Sequence, residues 1–168
     1  MGEEKGKEGL KKKVMVAIDE SEDSYRALMW VLNNLKESFK SLQLVIFATQ
    51  ETPKCNSLSG VHIGYARMYC TASVTPYLSN IAMEKNRKVS LGLLEKAKGI
   101  CASQGVSAET ATEDGDPKEA ICKAVQKYKI NLLVIGDREN GILKRFFHGS
   151  LSSYCLDNAK CPVLVVKN

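Results

Sequence analysis

Residues 136–152 hold the densest concentration of groups able to bind an anion. Gly136 ends an apolar run over 132–135, a loop of mixed charge follows, and Gly149-Ser150-Leu151-Ser152 opens a short helical stretch. The first amides of a helix lack partners within it and sit at the positive end of its dipole, so they attract phosphate. Glycine admits a phosphate close to the backbone, and Ser150 and Ser152 add hydroxyl donors. A plain N-cap explains Ser150 equally well. Lys144 and Arg145 either add positive charge upstream or only solvate the loop.

Other reactive side chains offer less. Asp19 and Glu139 can be drawn as a carboxylate pair for a metal, but helix capping also accounts for an Asp at a strand end. His148, just before the glycine-serine turn, reads as a surface or packing residue rather than a phosphate ligand. There is no nucleophile elbow and no Walker lysine, so the chain does not read as an enzyme. The six cysteines, Cys55, Cys70, Cys101, Cys122, Cys155 and Cys161, form no Cys-x-x-Cys pair, and His62 and His148 complete no zinc spacing. Scattered thiols in a reducing compartment are the expectation, with Cys55 and Cys70 in a loop where oxidation is open to them.

The elements that must position these groups follow from periodicity. Buried strands are predicted over 13–18, 42–48, 132–135 and Val163–Val166, with a weaker alternating strand over 106–112. Ser21 with Glu22 and Asp23 caps a helix whose core stripe is Tyr25, Leu28, Met29, Leu32 and Leu35. Thr75-Pro76 starts a long helix that Gly105 stops. Asp116-Pro117-Lys118-Glu119 starts another, with Ile121, Ala124, Val125 and Tyr128 facing inward. The segment 49–75, with His62, Tyr65 and Tyr69, is either a lid or, as favoured here, a variable insertion. Alternating strands and helices give an α/β fold with a parallel sheet covered on both faces. Ligands of such sheets sit outside strand carboxyl ends, where strand order reverses. Asp19, Ala48-Thr49 and Gly136 are candidates to meet there.

At 168 residues the chain is expected to be one domain, with residues 1–12 as a mobile arm and 13–168 as the folded body. The net charge is +5, of which the tail over 1–13 supplies a part, and the remainder, without clustered Arg or interleaved aromatics, argues little for nucleic acid, so no nucleic-acid partner is expected. No apolar run approaches a membrane span, and the first residues lack a signal-peptide core. A cytoplasmic protein is expected, with the nucleus left open.

The loop resembles the nucleotide loop of the universal stress protein family, whose pattern is Gly, two residues, Gly, nine residues, then Gly-Ser or Gly-Thr. Gly136 and Gly149-Ser150 fill the first and last places. Val16-Ala17-Ile18-Asp19-Glu20-Ser21 is similar to that family's opening strand, Gly115-Asp116-Pro117 to its turn before the third helix, and Cys161-Pro162-Val163-Leu164-Val165-Val166 to its closing strand. The similarity covers residues 13–167 and is greatest to small single-domain plant members. It implies a Rossmann-like, adenine-nucleotide α-hydrolase-like sheet of five parallel strands in the order 3-2-1-4-5. It also implies a homodimer paired through Val163–Val166, which fits the hazard of so apolar a bare edge. For ATP or AMP, with Mg²⁺ accompanying the phosphates, it implies base contacts at Asp19 and near Ala48 and Thr49. Ribose and phosphate contacts follow at Ile135 and Gly136, and triphosphate contacts at Gly149, Ser150, Leu151 and Ser152.

Glu139 stands where the family has its second glycine, so binding is expected to be weakened by backbone strain and by repulsion of phosphate. Arg138, Lys144 and Arg145 outnumber Asp137 and Glu139. The favoured reading is a stress-type protein that binds an adenine nucleotide as ligand or switch and presents a surface to a protein partner not identifiable from sequence. The alternative is a dimeric stress or chaperone-like module with a vestigial pocket, and a slow ATP hydrolase is a third, weaker option.

Overall fold

A computed structural model describes residues 11–50, 75–137 and 151–167. Residues 51–74 of the predicted insertion, most of the arm, and the loop positions Arg138, Glu139, Lys144, Arg145, His148, Gly149 and Ser150 lie outside the described residues. In chain order the elements are β1 (Lys12–Ile18), α1 (Glu22–Leu35), a 3₁₀ turn (Lys36–Lys40), β2 (Leu42–Gln50), α2 (Thr75–Ser103), β3 (Ala108–Asp114), α3 (Pro117–Lys127), β4 (Leu132–Gly136), α4 (Leu151–Asn158) and β5 (Val163–Val166).

All five strands are parallel, in the order β3-β2-β1-β4-β5, as the sequence implied. The two-residue period of a strand divides the core into two layers. Val14, Val16 and Ile18 join Leu44, Ile46 and Ala48 against α1 and α2. Met15 and Ala17 join Val45 and Phe47 against α3, with Cys155 of α4 in the same cluster. Because both faces of β1, β2 and β4 are covered, those strands read as apolar runs, whereas β3 at the edge alternates. Among the described residues no helix is long and apolar enough to cross a membrane.

Helix α1 begins at Ser21, whose Oγ accepts from the Ser24 amide at 3.3 Å. Its buried face is Ser24, Ala27, Leu28, Val31 and Leu32, which corrects the predicted stripe. Tyr25 is 50% exposed, while Met29 and Leu35 pack at the margin. Small residues at 24 and 27 let the helix lie close to the sheet, and a count of large apolar side chains overlooks them.

Helix α2 spans 29 residues, yet among its described side chains only Ser90, Leu94, Ala97 and Cys101 are buried. The spacing of those four gives one narrow stripe. Gly105, at φ +74°, closes the helix. Its amide donates to Ala102 O at 2.9 Å, and the Val106 amide donates to Cys101 O at 2.9 Å. These are the paired bonds of a glycine C-cap. Val106 and Ser107 are thereby taken up in leaving the helix, so β3 starts at Ala108, two residues later than predicted. Asp116 caps α3 as expected, its carboxylate accepting from the Lys118 amide at 3.1 Å with Pro117 at the first helical position.

Candidate functional site

Strand order reverses between β1 and β4, so the crevice lies outside the ends of those two strands. At the end of β1 the chain turns through a tight polar network. Asp19 Oδ1 accepts from the Ser21 amide at 2.9 Å and from the Ser21 hydroxyl. Ser24 Oγ, 6% exposed as a residue, accepts from the Asp19 amide at 3.1 Å and lies 2.9 Å from Asp19 O. The carboxylate thus shapes the turn that leads to the Ser21 cap of α1, a structural role independent of any ligand.

The end of β4 meets that same turn. A Cβ at Gly136 would lie 2.5 Å from the carbonyl carbon of Asp23 and 3.0 Å from the Ser24 nitrogen, and closer still to Asp23 O. Only glycine fits, because α1's first turn rests on its α-carbon. The next residue, Asp137, donates its amide to Val166 O at 2.9 Å, which fixes it to β5. Its Oδ1 lies 3.5 Å from the hydroxyl of Ser152, the second residue of α4.

The expected residues are therefore joined in part by direct contact, running from Asp19 through Ser24 to Gly136, then Asp137 and Ser152. Ala48 is the register partner of Ile18, one strand over, and is buried at 2% exposure. Thr49 follows it, and its carbonyl accepts from Ser90 Oγ of α2 at 3.0 Å. Ile135 is 1% exposed and packs in the α3 layer, so it presents backbone rather than side chain to the crevice. Leu151 opens α4 and is half-buried, and Ser152 is buried. Arg138, Gly149 and Ser150, and the acidic residue Glu139, are outside the described residues.

Two polar residues, Ser24 and Glu113, escaped the sequence reading, as did the contacts of Asp137. Ser24 depends on turn geometry, and the Asp137 contact with Ser152 joins residues across a loop, so neither arrangement follows from spacing. Glu113 of β3 is 8% exposed and is held by Lys127, by Lys123 at 3.4 Å and by the Tyr128 hydroxyl at 3.3 Å. The hydrogen bond from Lys127 keeps its carboxyl below the usual range. It borders an open cleft of about 680 Å³ lined also by Gln50, Asn80, Arg87, Thr112 and Lys127, at the β3 edge rather than the β1/β4 crevice. The described cysteines are unpaired thiols; burial pushes Cys101 up to about 11 and Cys155 up to about 12. Among the described residues no group of three His, Cys, Asp or Glu could hold a metal ion.

The profile of the universal stress protein family matches residues 11–167. Universal stress protein YxiE of Bacillus subtilis is 29% identical over 155 residues, 92% of this chain and 98% of that one. A universal stress protein A-like protein of Arabidopsis thaliana is 36% identical over 84 residues, half of this chain and 48% of that one. Among solved structures, universal stress protein UspA of Lactobacillus plantarum superposes with a TM-score of 0.70 at 20% identity, over 93% of this chain and 97% of that one. A universal stress protein family protein of Arabidopsis thaliana, solved with AMP bound, superposes with a TM-score of 0.62 at 25% identity, over 94% and 92%. With the five-stranded order and the strand-end network already in place, a match from Lys11 to Lys167 settles the kinship: the chain belongs to the universal stress protein family.

Proposed function

We propose that the crevice between β1 and β4 binds an adenine nucleotide, AMP or ATP, as a ligand or switch rather than as a substrate for rapid turnover. The observation that carries this reading is the convergence of Asp19, Gly136 and the first turn of α4 at the reversal of strand order. The relative solved with AMP bound adds support at 25% identity. In this reading Asp19 and the backbone at Ala48 and Thr49 meet the base, and Ile135 and Gly136 meet the ribose. Gly149, Ser150, Leu151 and Ser152 receive the phosphates at the start of α4, with Arg138 as a nearby cation. Mg²⁺ would travel with the phosphates, since Mg²⁺ usually takes only one or two carboxylates alongside phosphate oxygens.

A second reading, a dimeric interaction module with a vestigial pocket, is favoured by two observations. Asp19 shapes the turn before α1 and Gly136 has a packing role, and neither needs a ligand. Both readings include a homodimer through β5, whose four residues are half-buried along an edge paired on one side by β4. Calorimetric titration of nucleotide-free protein with AMP and with Mg·ATP separates them. Saturable heat at a stoichiometry of one supports the first, and its absence at millimolar ligand leaves the second.

A further inference from the structure

The amino ends of the strands, opposite the crevice, carry a row of lysines. Lys129 stands three residues before Leu132, the register partner of Val14, and Lys11 stands three before Val14, which sets the two at one level of the sheet. Lys160 stands three before Val163, the partner of Leu133 on β4. Lys40 stands two before Leu42, the partner of Lys12. Neighbouring strands lie about 4.8 Å apart, so the row crosses β2, β1, β4 and β5 over roughly 15 Å. Lys11, Lys12, Lys36, Lys40, Lys129 and Lys160 are all exposed. Among the described residues only Lys40 of these has an acid partner, Glu37. We propose that this end of the sheet is a docking surface for an anionic phospholipid bilayer. The surface lies away from the nucleotide crevice, and the inference does not rest on that reading.

Lysines in the last turn of a helix serve to offset its dipole, but α1, α2 and α4 have no basic residue there, so the row has another basis. Lys129 holds φ +53°, a capping conformation that glycine adopts without strain, and so a cation stands where the backbone alone favours glycine. Charge is also polarised along the molecule. Among the described residues the acids at the amino end are Glu37, Glu109 and Asp157, whereas Glu20, Asp114, Asp116 and Asp137 gather at the carboxyl end. Such a field turns the amino end toward a negative surface. A bilayer fits the row better than a nucleic acid does. The row has no arginine, whose planar fork suits a single phosphate, and no exposed aromatic to stack a base. Clusters of four to eight basic residues hold a protein to an anionic leaflet, each residue adding about fivefold in affinity. Among the described residues no helix is long and apolar enough to cross a membrane, so the attachment is peripheral and reversible.

Co-flotation of the full chain with vesicles tests this, comparing pure phosphatidylcholine with a mixture holding about one-third phosphatidylserine. The mixed vesicles should carry the protein at low salt and release it as salt rises from about 0.05 to 0.5 M, because screening shortens the reach of the lysines. Lys129→Gly with Lys160→Gln removes two charges and should weaken binding about 25-fold. Circular dichroism should show that variant folded, since glycine relieves the backbone at 129. Should it fail to fold, Lys11→Gln with Lys12→Gln, exposed at the start of β1, takes its place with the same expected loss. Lys85→Gln with Lys88→Gln, two exposed charges in the first half of α2, should stay within about twofold of wild type. Equal binding to both kinds of vesicle overturns the proposal, as does an equal loss in the α2 variant and the row variant. A single-stranded RNA oligonucleotide that binds more tightly than the mixed vesicles also overturns it and assigns the row to nucleic acid.

Discussion

Replacing Gly136 with alanine should unfold the protein at lower temperature even when no nucleotide is present. The added Cβ would stand 2.5 Å from Asp23 C and 3.0 Å from Ser24 N, both backbone atoms that no rotamer change can move. Restoring ordinary carbon contact requires α1's first turn to retreat by about 1 Å. That retreat strains the Ser24 bonds to Asp19 and loosens Ala27 and Leu28, which are buried at 0% and 1% exposure. Overpacking of this kind costs about 1–3 kcal/mol. For a domain of this size each kcal/mol lowers Tm by roughly 2–4 °C, so a fall of about 2–12 °C is expected. Thermal unfolding followed by circular dichroism, with and without AMP, measures it. An unchanged Tm without ligand, coupled with lost nucleotide binding, would refute the packing argument and return Gly136 to a purely ligand-facing role.

Other outcomes follow from single contacts. Asp116→Ala removes the cap of α3 and should cost about 1 kcal/mol, read as a Tm lower by roughly 2–4 °C; no change would mean the Lys118 amide finds water at no loss. Glu113→Gln should lower Tm at neutral pH, and the gap from wild type should close in acid. The folded carboxyl is held below its usual range by Lys127, so its contribution is present above the ordinary glutamate value of about 4 and is lost as pH falls through the lower folded value. A gap that widens in acid contradicts that assignment. Site-resolved alkylation at pH 8 should leave Cys101 and Cys155 unmodified until denaturant is added, because burial holds their thiols near 11 and 12. Native labelling of Cys155 at the denatured rate would contradict its burial.

Much of this fold is legible in the sequence because parallel strands buried on two sides have no polar face to confuse the pattern. The runs at Val14, Leu44 and Leu133 stand out for that reason, and Asp116-Pro117 and Gly105 mark helix ends through local backbone chemistry. What sequence hides is set by tertiary approach. The face of α1 that is buried, with Tyr25 left exposed, includes small residues at 24 and 27, whose value lies in what they leave room for. The late start of β3 follows from a C-cap that consumes Val106 and Ser107. At the crevice, Asp19 and Gly136 were identified as candidates, but the clash that makes Gly136 obligatory appears only once α1 lies on β4. The pairing of Asp137 with Ser152 likewise joins residues across a loop, and no spacing rule would reveal it. Glu139, the departure from the family pattern, lies outside the described residues, whereas Asp137 has a defined position, its amide bound to Val166 O.

The most direct test of an adenine-nucleotide crevice is a two-dimensional amide NMR titration of the nucleotide-free protein with AMP. Saturable shifts confined to Asp19, Ala48, Thr49, Gly136, Asp137, Leu151 and Ser152, with the amino ends of the strands unmoved, are the expected result. Shifts that never saturate at millimolar AMP, or that gather instead at the Glu113 cleft on the β3 edge, would contradict it.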